Sequence, residues 1–310
     1  MKRKILIILL FLSIVFMEYE LVTVMYEKGK DAYKDELSKQ KKIDYEMSNR
    51  SRYNRENYPL GTAEKAEGRI VVLSIFADEV MFSWDDDFDN NEIKDRCYEN
   101  LKIAVNYITE YADKYGKEIE FIYDWKKDSS LLKKTFFNSH IDIYDAPIKL
   151  GQYIDDSIDT TSILDEYNAD GVIFMFYFNS RSDFKESPFA NAYHEGVEFP
   201  YESCVLYNYF GDEPITATVY AHEILHLFGA IDLYKQHTDY NLYDDTYNEI
   251  IAIYTNDLMD RTIEDVKSRE IKRVISDFDA YYIGWIDNLD LVDKYNLRKN
   301  DFLLKGIIDH

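Results

Sequence analysis

The sequence predicts an α/β (α+β) fold: a mixed, mostly parallel twisted sheet, a central buried helix, and a smaller, mainly helical C-terminal part. Three observations carry this expectation. Apolar, β-branched runs alternate with segments of helical period between residues 70 and 178. The stretch around 217–228 has helical spacing and is apolar on nearly every side, as a helix inside a domain is. The last third of the chain reads as helical or irregular, with Val266–Ile283 the best helix there.

The elements follow in order. Ile70-Val71-Val72-Leu73-Ser74-Ile75-Phe76 reads as a buried strand at the start of the domain. From Ile93, apolar residues recur at Cys97, Leu101, Ala104/Val105, Ile108, Tyr111/Ala112 and Tyr115, which marks the core face of an amphipathic helix. Gly116 ends it. Ile119–Tyr123 is a second strand, Gly151–Tyr167 a second helix, and Gly171–Phe178 the strongest strand of the chain. A strand–helix–strand–helix–strand order favours parallel pairing through crossovers. Ser203–Tyr209 reads as a further strand shortly before the 217–228 helix.

With 310 residues, the chain can form one large domain or two small ones, and 46% hydrophobic residues exclude a disordered chain. A net charge of −23 argues against nucleic acid as a partner, because phosphate binding needs a basic footprint. Two cysteines exclude a disulfide-rich scaffold. Cys97 and Cys204 could form one bridge or remain two buried thiols.

Met1-Lys2-Arg3-Lys4 followed by the apolar run Ile5–Met17 has the form of an export signal. Residues 1–26 read as a signal peptide or a membrane anchor, and 27–67 as a polar stalk or linker. Residues 68–310 form the domain, with 68–229 and 230–310 as its two subdomains. Either reading of the leader places the domain outside the cytoplasm, secreted or anchored on the outer face of the membrane.

The chemistry concentrates in His222-Glu223-Ile224-Leu225-His226. On a helix, residues four apart share a face, so both imidazoles can reach one zinc ion. Glu223 stands where a general base for a metal-polarised water is needed. Gly229 can take the left-handed conformation that reverses the chain and returns Asp232 as a third, oxygen ligand. His237, Asp239 and Glu249 are alternative third ligands. His194-Glu195-Gly196 lacks a second His at the right spacing, and His140 and His310 carry no pattern. The acids of Trp84–Glu92 could bind calcium but define no site: counted from Asp87, Glu92 falls where an EF-hand loop needs Gly, and Tyr98 where it needs Glu.

His222–Asp232, with its H-E-x-x-H-x-x-G-x-x-D pattern, resembles the zinc motif of the metzincin metallopeptidases, in particular the immune-inhibitor-A-like and snapalysin-like bacterial enzymes. The resemblance covers about residues 200–290. It implies a metzincin-like fold around a central zinc-binding helix and one catalytic zinc on His222, His226 and Asp232. It also implies a Met-containing turn, for which Asn256-Asp257-Leu258-Met259-Asp260 is the counterpart. Gly284-Trp285 resembles a segment of the immune-inhibitor-like group. Where some metzincins carry a Tyr two residues after that Met, this chain has Arg261, and Tyr281 or Tyr282 could substitute. The implied activity is hydrolysis of protein or peptide substrates, with Val205 and Tyr207 on a sheet edge that pairs with the substrate. A cell-surface protein that keeps zinc for structure, and a zinc amidase acting on cell wall, are the alternatives. The sequence does not define the oligomeric state.

Overall fold

The computed structural model describes residues 62–63, 65–84, 88–143, 146–181, 185–191, 201–234, 242–260 and 270–297. The expectations for 1–26 and for nearly all of 27–67 lie outside these residues, as do those for His194, His237, Asp239, Arg261 and His310.

Strand β1 (Gly68–Asp78) is the hub of a six-stranded sheet. On one side it pairs in parallel first with β2 (Ile119–Ile122) and then, further along, with β3 (Leu132–Phe136). Its other side pairs in parallel with β4 (Gly171–Phe178). Strand β4 continues in parallel to β6 (Ser203–Tyr207), and β6 pairs antiparallel with β5 (Phe189–Asn191). Every residue of β4 and β6 is buried. A parallel strand covered on both faces can be apolar throughout, which is why Gly-Val-Ile-Phe-Met-Phe-Tyr-Phe reads so plainly as a strand.

Gly171 allows a close approach at the start of β4. A Cβ there would lie 2.3 Å from the Thr62 carbonyl oxygen. Thr62 uses that proximity: its hydroxyl accepts the Val172 N–H at 3.0 Å.

Helix α1 (Phe88–Lys114) starts five residues earlier than its apolar period indicates. Its marked face, Cys97, Leu101, Ala104, Val105, Ile108 and Ala112, is buried in the core. The stretch expected as one helix over 151–167 is two, α2 (Ala146–Ser157) and α3 (Thr160–Tyr167). Asp159 causes the break: its side chain accepts the Ser162 N–H at 3.0 Å and starts a new helix. A hairpin, β7 (Tyr209–Phe210) with β8 (Glu213–Pro214), leads into α4 (Ala217–Leu227). Helix α4 packs along α1 and against β5 and β6.

The C-terminal part carries α5 (Asp244–Ile253), α6 (Asp277–Tyr282) and α7 (Asp290–Tyr295). The helix expected over 266–283 is confined, among the described residues, to α6. Val274 instead bridges to Asp257, and the Ser276 side chain caps Phe278 and Asp279, which fixes the helix start. Trp285 donates its indole N–H to the Ala66 carbonyl at 2.8 Å, tying this part to the entry of β1. Among the described residues no helix is long and apolar enough to cross a membrane.

Candidate metal centre

Helix α4 places His222 and His226 one turn apart, both buried, with Glu223 beside them. The helix closes at Phe228, and Gly229 follows at φ +102°, a conformation that side chains with a Cβ adopt at a cost. The Ala230 N–H then folds back onto the Leu225 carbonyl at 3.1 Å. This reversal returns Asp232, wholly buried, to the two imidazoles.

Asp232 Oδ1 lies 3.1 Å from His222 Nε2 and 3.1 Å from His226 Nε2, and the two Nε2 atoms are 3.0 Å apart. A tetrahedral zinc with bonds of about 2.0–2.1 Å spaces its ligands about 3.3 Å apart. The triangle therefore fits one face of such a coordination shell, and two imidazole nitrogens with one carboxylate oxygen suit that ion. Among the described residues, these three form the one His/Cys/Asp/Glu group able to hold a metal.

The outer nitrogens are fixed by main-chain carbonyls. His222 Nδ1 donates to Leu258 O at 3.1 Å, and His226 Nδ1 donates to Ala230 O at 2.8 Å. With Nδ1 carrying the proton, each Nε2 presents a lone pair to the centre of the triangle. Met259 is buried in the turn that supplies Leu258 O, and its own carbonyl accepts the Leu233 N–H at 2.7 Å. One turn thus touches the first ligand and the neighbour of the third.

The electrostatics follow from burial and charge. In the metal-free centre burial alone would depress the His222 pKa, but the Asp232 carboxylate 3.1 Å away and the Glu223 charge lift it to about 9, so Nε2 must release a proton before it can offer its lone pair to a metal. Burial works against the Asp232 carboxylate, and His226 and His222 outweigh it, holding its pKa well below the usual range. Burial pushes Glu223 up, against the pull of the two imidazoles. Tyr234 stacks its ring against His222, 6.3 Å between centroids, and burial and the Asp232 charge raise its phenol. The Tyr234 position followed the quoted motif in the sequence, but nothing there signalled its contact.

The remaining expected residues fall elsewhere. Glu249 is exposed and ion-paired with Lys294, so it does not join the triangle. Tyr281 and Tyr282 are buried on α6. Val205 and Tyr207 do not form a sheet edge. Val205 is flanked by Phe176 on one side and Phe189 on the other, and the buried Tyr207 hydroxyl donates to the Ile141 carbonyl. Among the described residues the edge is β5, whose three residues are too few to stand out in the sequence. Cys97 and Cys204 are both buried and unbridged.

No protein-family model matches the chain, and no curated protein matches it either. Among solved structures, a chaperone–substrate complex is similar at TM-score 0.31 and 13% identity, over 56% of this chain and 25% of that one. Metalloproteinase-II from Bacteroides fragilis is similar at TM-score 0.36 and 11% identity, over 79% of this chain and 61% of that one. The chain thus spans a quarter of the first and about three fifths of the second. Likenesses of this size carry no argument about function, which rests on the residues of the triangle.

Proposed function

We propose that this protein is a zinc-dependent endopeptidase of the metzincin type, with His222, His226 and Asp232 as metal ligands and Glu223 as general base. The observation that carries the reading is the buried Nε2–Nε2–Oδ1 triangle, with both imidazoles locked in the tautomer a metal requires. A zinc ion held there would supply Lewis-acid polarisation of the scissile carbonyl and bring a water's pKa down to about 7. Glu223 adjoins His222 on the helix and takes the proton of the attacking water at its carboxylate, then passes it to the leaving amine. A purely structural zinc site has no use for that base.

An extended peptide would find its place along β5. Among the described residues this strand pairs with β6 alone, and α4 lies against it. Main-chain hydrogen bonds to such an edge hold a substrate whatever its sequence. The basic start and the apolar run Ile5–Met17 support export, with the domain free or tethered outside the cell.

The test is digestion of an unfolded protein mixture by the purified protein and by Glu223→Ala, with bound zinc quantified in both. The reading expects one zinc in each, cleavage by the wild type, and a loss of about 100-fold or more in the variant. Zinc in both with cleavage by neither would sink the general peptidase and point to cell-wall amide bonds or to a binding role.

A further inference from the structure

Two carboxyl groups meet behind the metal centre. Asp257 opens the Leu258–Met259 turn and Asp279 lies in α6; both are wholly buried. Asp257 Oδ1 accepts the Met259 N–H at 2.7 Å. Asp279 Oδ2 accepts the Ser276 N–H at 3.3 Å, closing the capping box of α6. Val274 donates to Asn256 O at 2.9 Å and accepts from the Leu258 N–H at 2.8 Å, which sets Asp257 against the segment entering α6, where its carboxyl and that of Asp279 interact. Yet Asp257 Oδ2 and Asp279 Oδ1 are both buried with no donor. Ionised carboxylates only accept, so a single proton between the two groups satisfies what is otherwise left unmade.

Among the described residues no cation forms an ion pair with either carboxyl. Arg273 is engaged with the Asp257 main-chain carbonyl at 3.1 Å and with the Asp260 carboxylate at 3.5 Å. His222 faces Asp232; its charge also pulls the Asp257 carboxyl down, an influence smaller than that of burial. The other titratable groups around the pair are Tyr107 and Tyr115 of α1, Tyr254 after α5, and Asp277 of α6. The three phenols supply no positive charge, and Asp277 adds a negative one. Two like charges so placed cannot both ionise cheaply. Burial is the largest influence on both groups and pushes both upward, and the Asp257 charge raises Asp279 further.

We infer that Asp257 and Asp279 share one proton, and that Asp279, as the neutral acid donating to Asp257, is a positioning residue for the metal centre. The carboxylate so fixed holds the Met259 N–H. The same turn then presents Leu258 O to His222 and Met259 O to the Leu233 N–H. The positioning role rests on the zinc reading; the shared proton does not.

The experiment uses the purified protein, labelled with carboxyl-¹³C aspartate, beside Asp279→Asn and Asp279→Leu. Infrared spectra at neutral pH should show a protonated carboxyl stretch that shifts with the label and disappears in Asp279→Asn. No such band in the wild type, or a band that survives in Asp279→Asn, would overturn the shared proton. Zinc affinity is read by competition with a chelating dye. An Asn amide can donate to Asp257 as the acid does, so Asp279→Asn should bind zinc within about threefold of wild type; Asp279→Leu should bind at least about tenfold more weakly. Wild-type affinity in Asp279→Leu, or a tenfold loss in Asp279→Asn, would overturn the positioning role. Should Asp279→Leu fail to fold, the band and the Asn variant decide. A wild type that shows the band but binds no zinc leaves the shared proton standing and removes the positioning role together with the zinc reading.

The metal-free protein gives an independent readout. A carboxyl whose folded pKa is raised makes the protein less stable as pH rises above its unfolded value of about 3.9. Asp279→Asn carries no such proton, so its melting temperature should gain on the wild type between about pH 5 and about pH 8. A constant difference across that range counts against the shared proton.

Discussion

His222 donates its Nδ1 proton to the main-chain carbonyl of Leu258, 3.1 Å away. The contact joins the first metal ligand to a turn 36 residues downstream through a backbone atom. It makes the Met259 side chain incidental to orientation, since the turn acts through the carbonyls of Leu258 and Met259.

A Met259→Leu substitution tests that division. Met259 is wholly buried, and a swap of similar volume costs less than about 1.5 kcal/mol. Zinc affinity should stay within about threefold, because both carbonyls remain in place. Dye competition measures it, and a tenfold loss with the fold intact would assign the thioether a role of its own.

Gly229 should be far less tolerant. At φ +102° an added Cβ costs about 1–2 kcal/mol, and relief of the strain must move the segment that carries Ala230 O and Asp232. Ala230 O is the acceptor that orients His226, at 2.8 Å. Gly229→Ala is expected to weaken zinc binding by about tenfold or more, on the scale of lost outer contacts to a ligand. Melting curves in excess zinc and in chelator separate the two effects: a drop confined to the zinc-free state would contradict the argument.

How much of this was legible in the sequence follows from how local each signal is. Strands β1, β4 and β6 were readable because a strand buried on both faces is written as one apolar run. Leu132-Lys133-Lys134-Thr135-Phe136 is no such run, and pairing with β1 makes it a strand. Strand β5 exists only through its contact with β6, which is why Val205 and Tyr207 were expected at an edge they do not occupy. The triangle was legible because its spacing of four, three and three is set by one helix turn and one reversal. Asp257 and Asp279 were not: in a chain with 59 acids, nothing distinguishes two that the fold buries together.

The cysteines should behave as inert core residues. Burial pushes the Cys97 thiol up to about 11, and the Cys204 thiol well above its ordinary range. The thiolate is the reactive form, so neither should react with iodoacetamide in the native protein near neutral pH. Intact-mass measurement is expected to show no adduct before unfolding and two after it, matching the two cysteines of the chain. One resistant pair after unfolding would mean a disulfide, against the unbridged arrangement.

His140 supplies a separate pH dependence. Its Nδ1 lies 2.8 Å from the wholly buried Glu79 carboxylate and its Nε2 3.0 Å from Glu186. The Glu79 hydrogen bond raises the imidazole most, burial opposes it, and Glu186 adds to the rise, giving about 9. The folded protein therefore binds a proton that the unfolded chain has released above about 6.5, so stability from this group falls as pH rises. It is complete below about pH 6.5 and gone above about pH 9. Discounted for a side chain in partial contact with water, it is worth on the order of 1 kcal/mol, or about 2–4 °C in melting temperature for a domain of this size. The difference in melting temperature between wild type and His140→Gln isolates it, because the Asp257–Asp279 contribution is common to both. That difference should favour the wild type at about pH 6 and shrink steadily toward about pH 9. A difference that stays flat across this window would mean that His140 is neutral between its two acids.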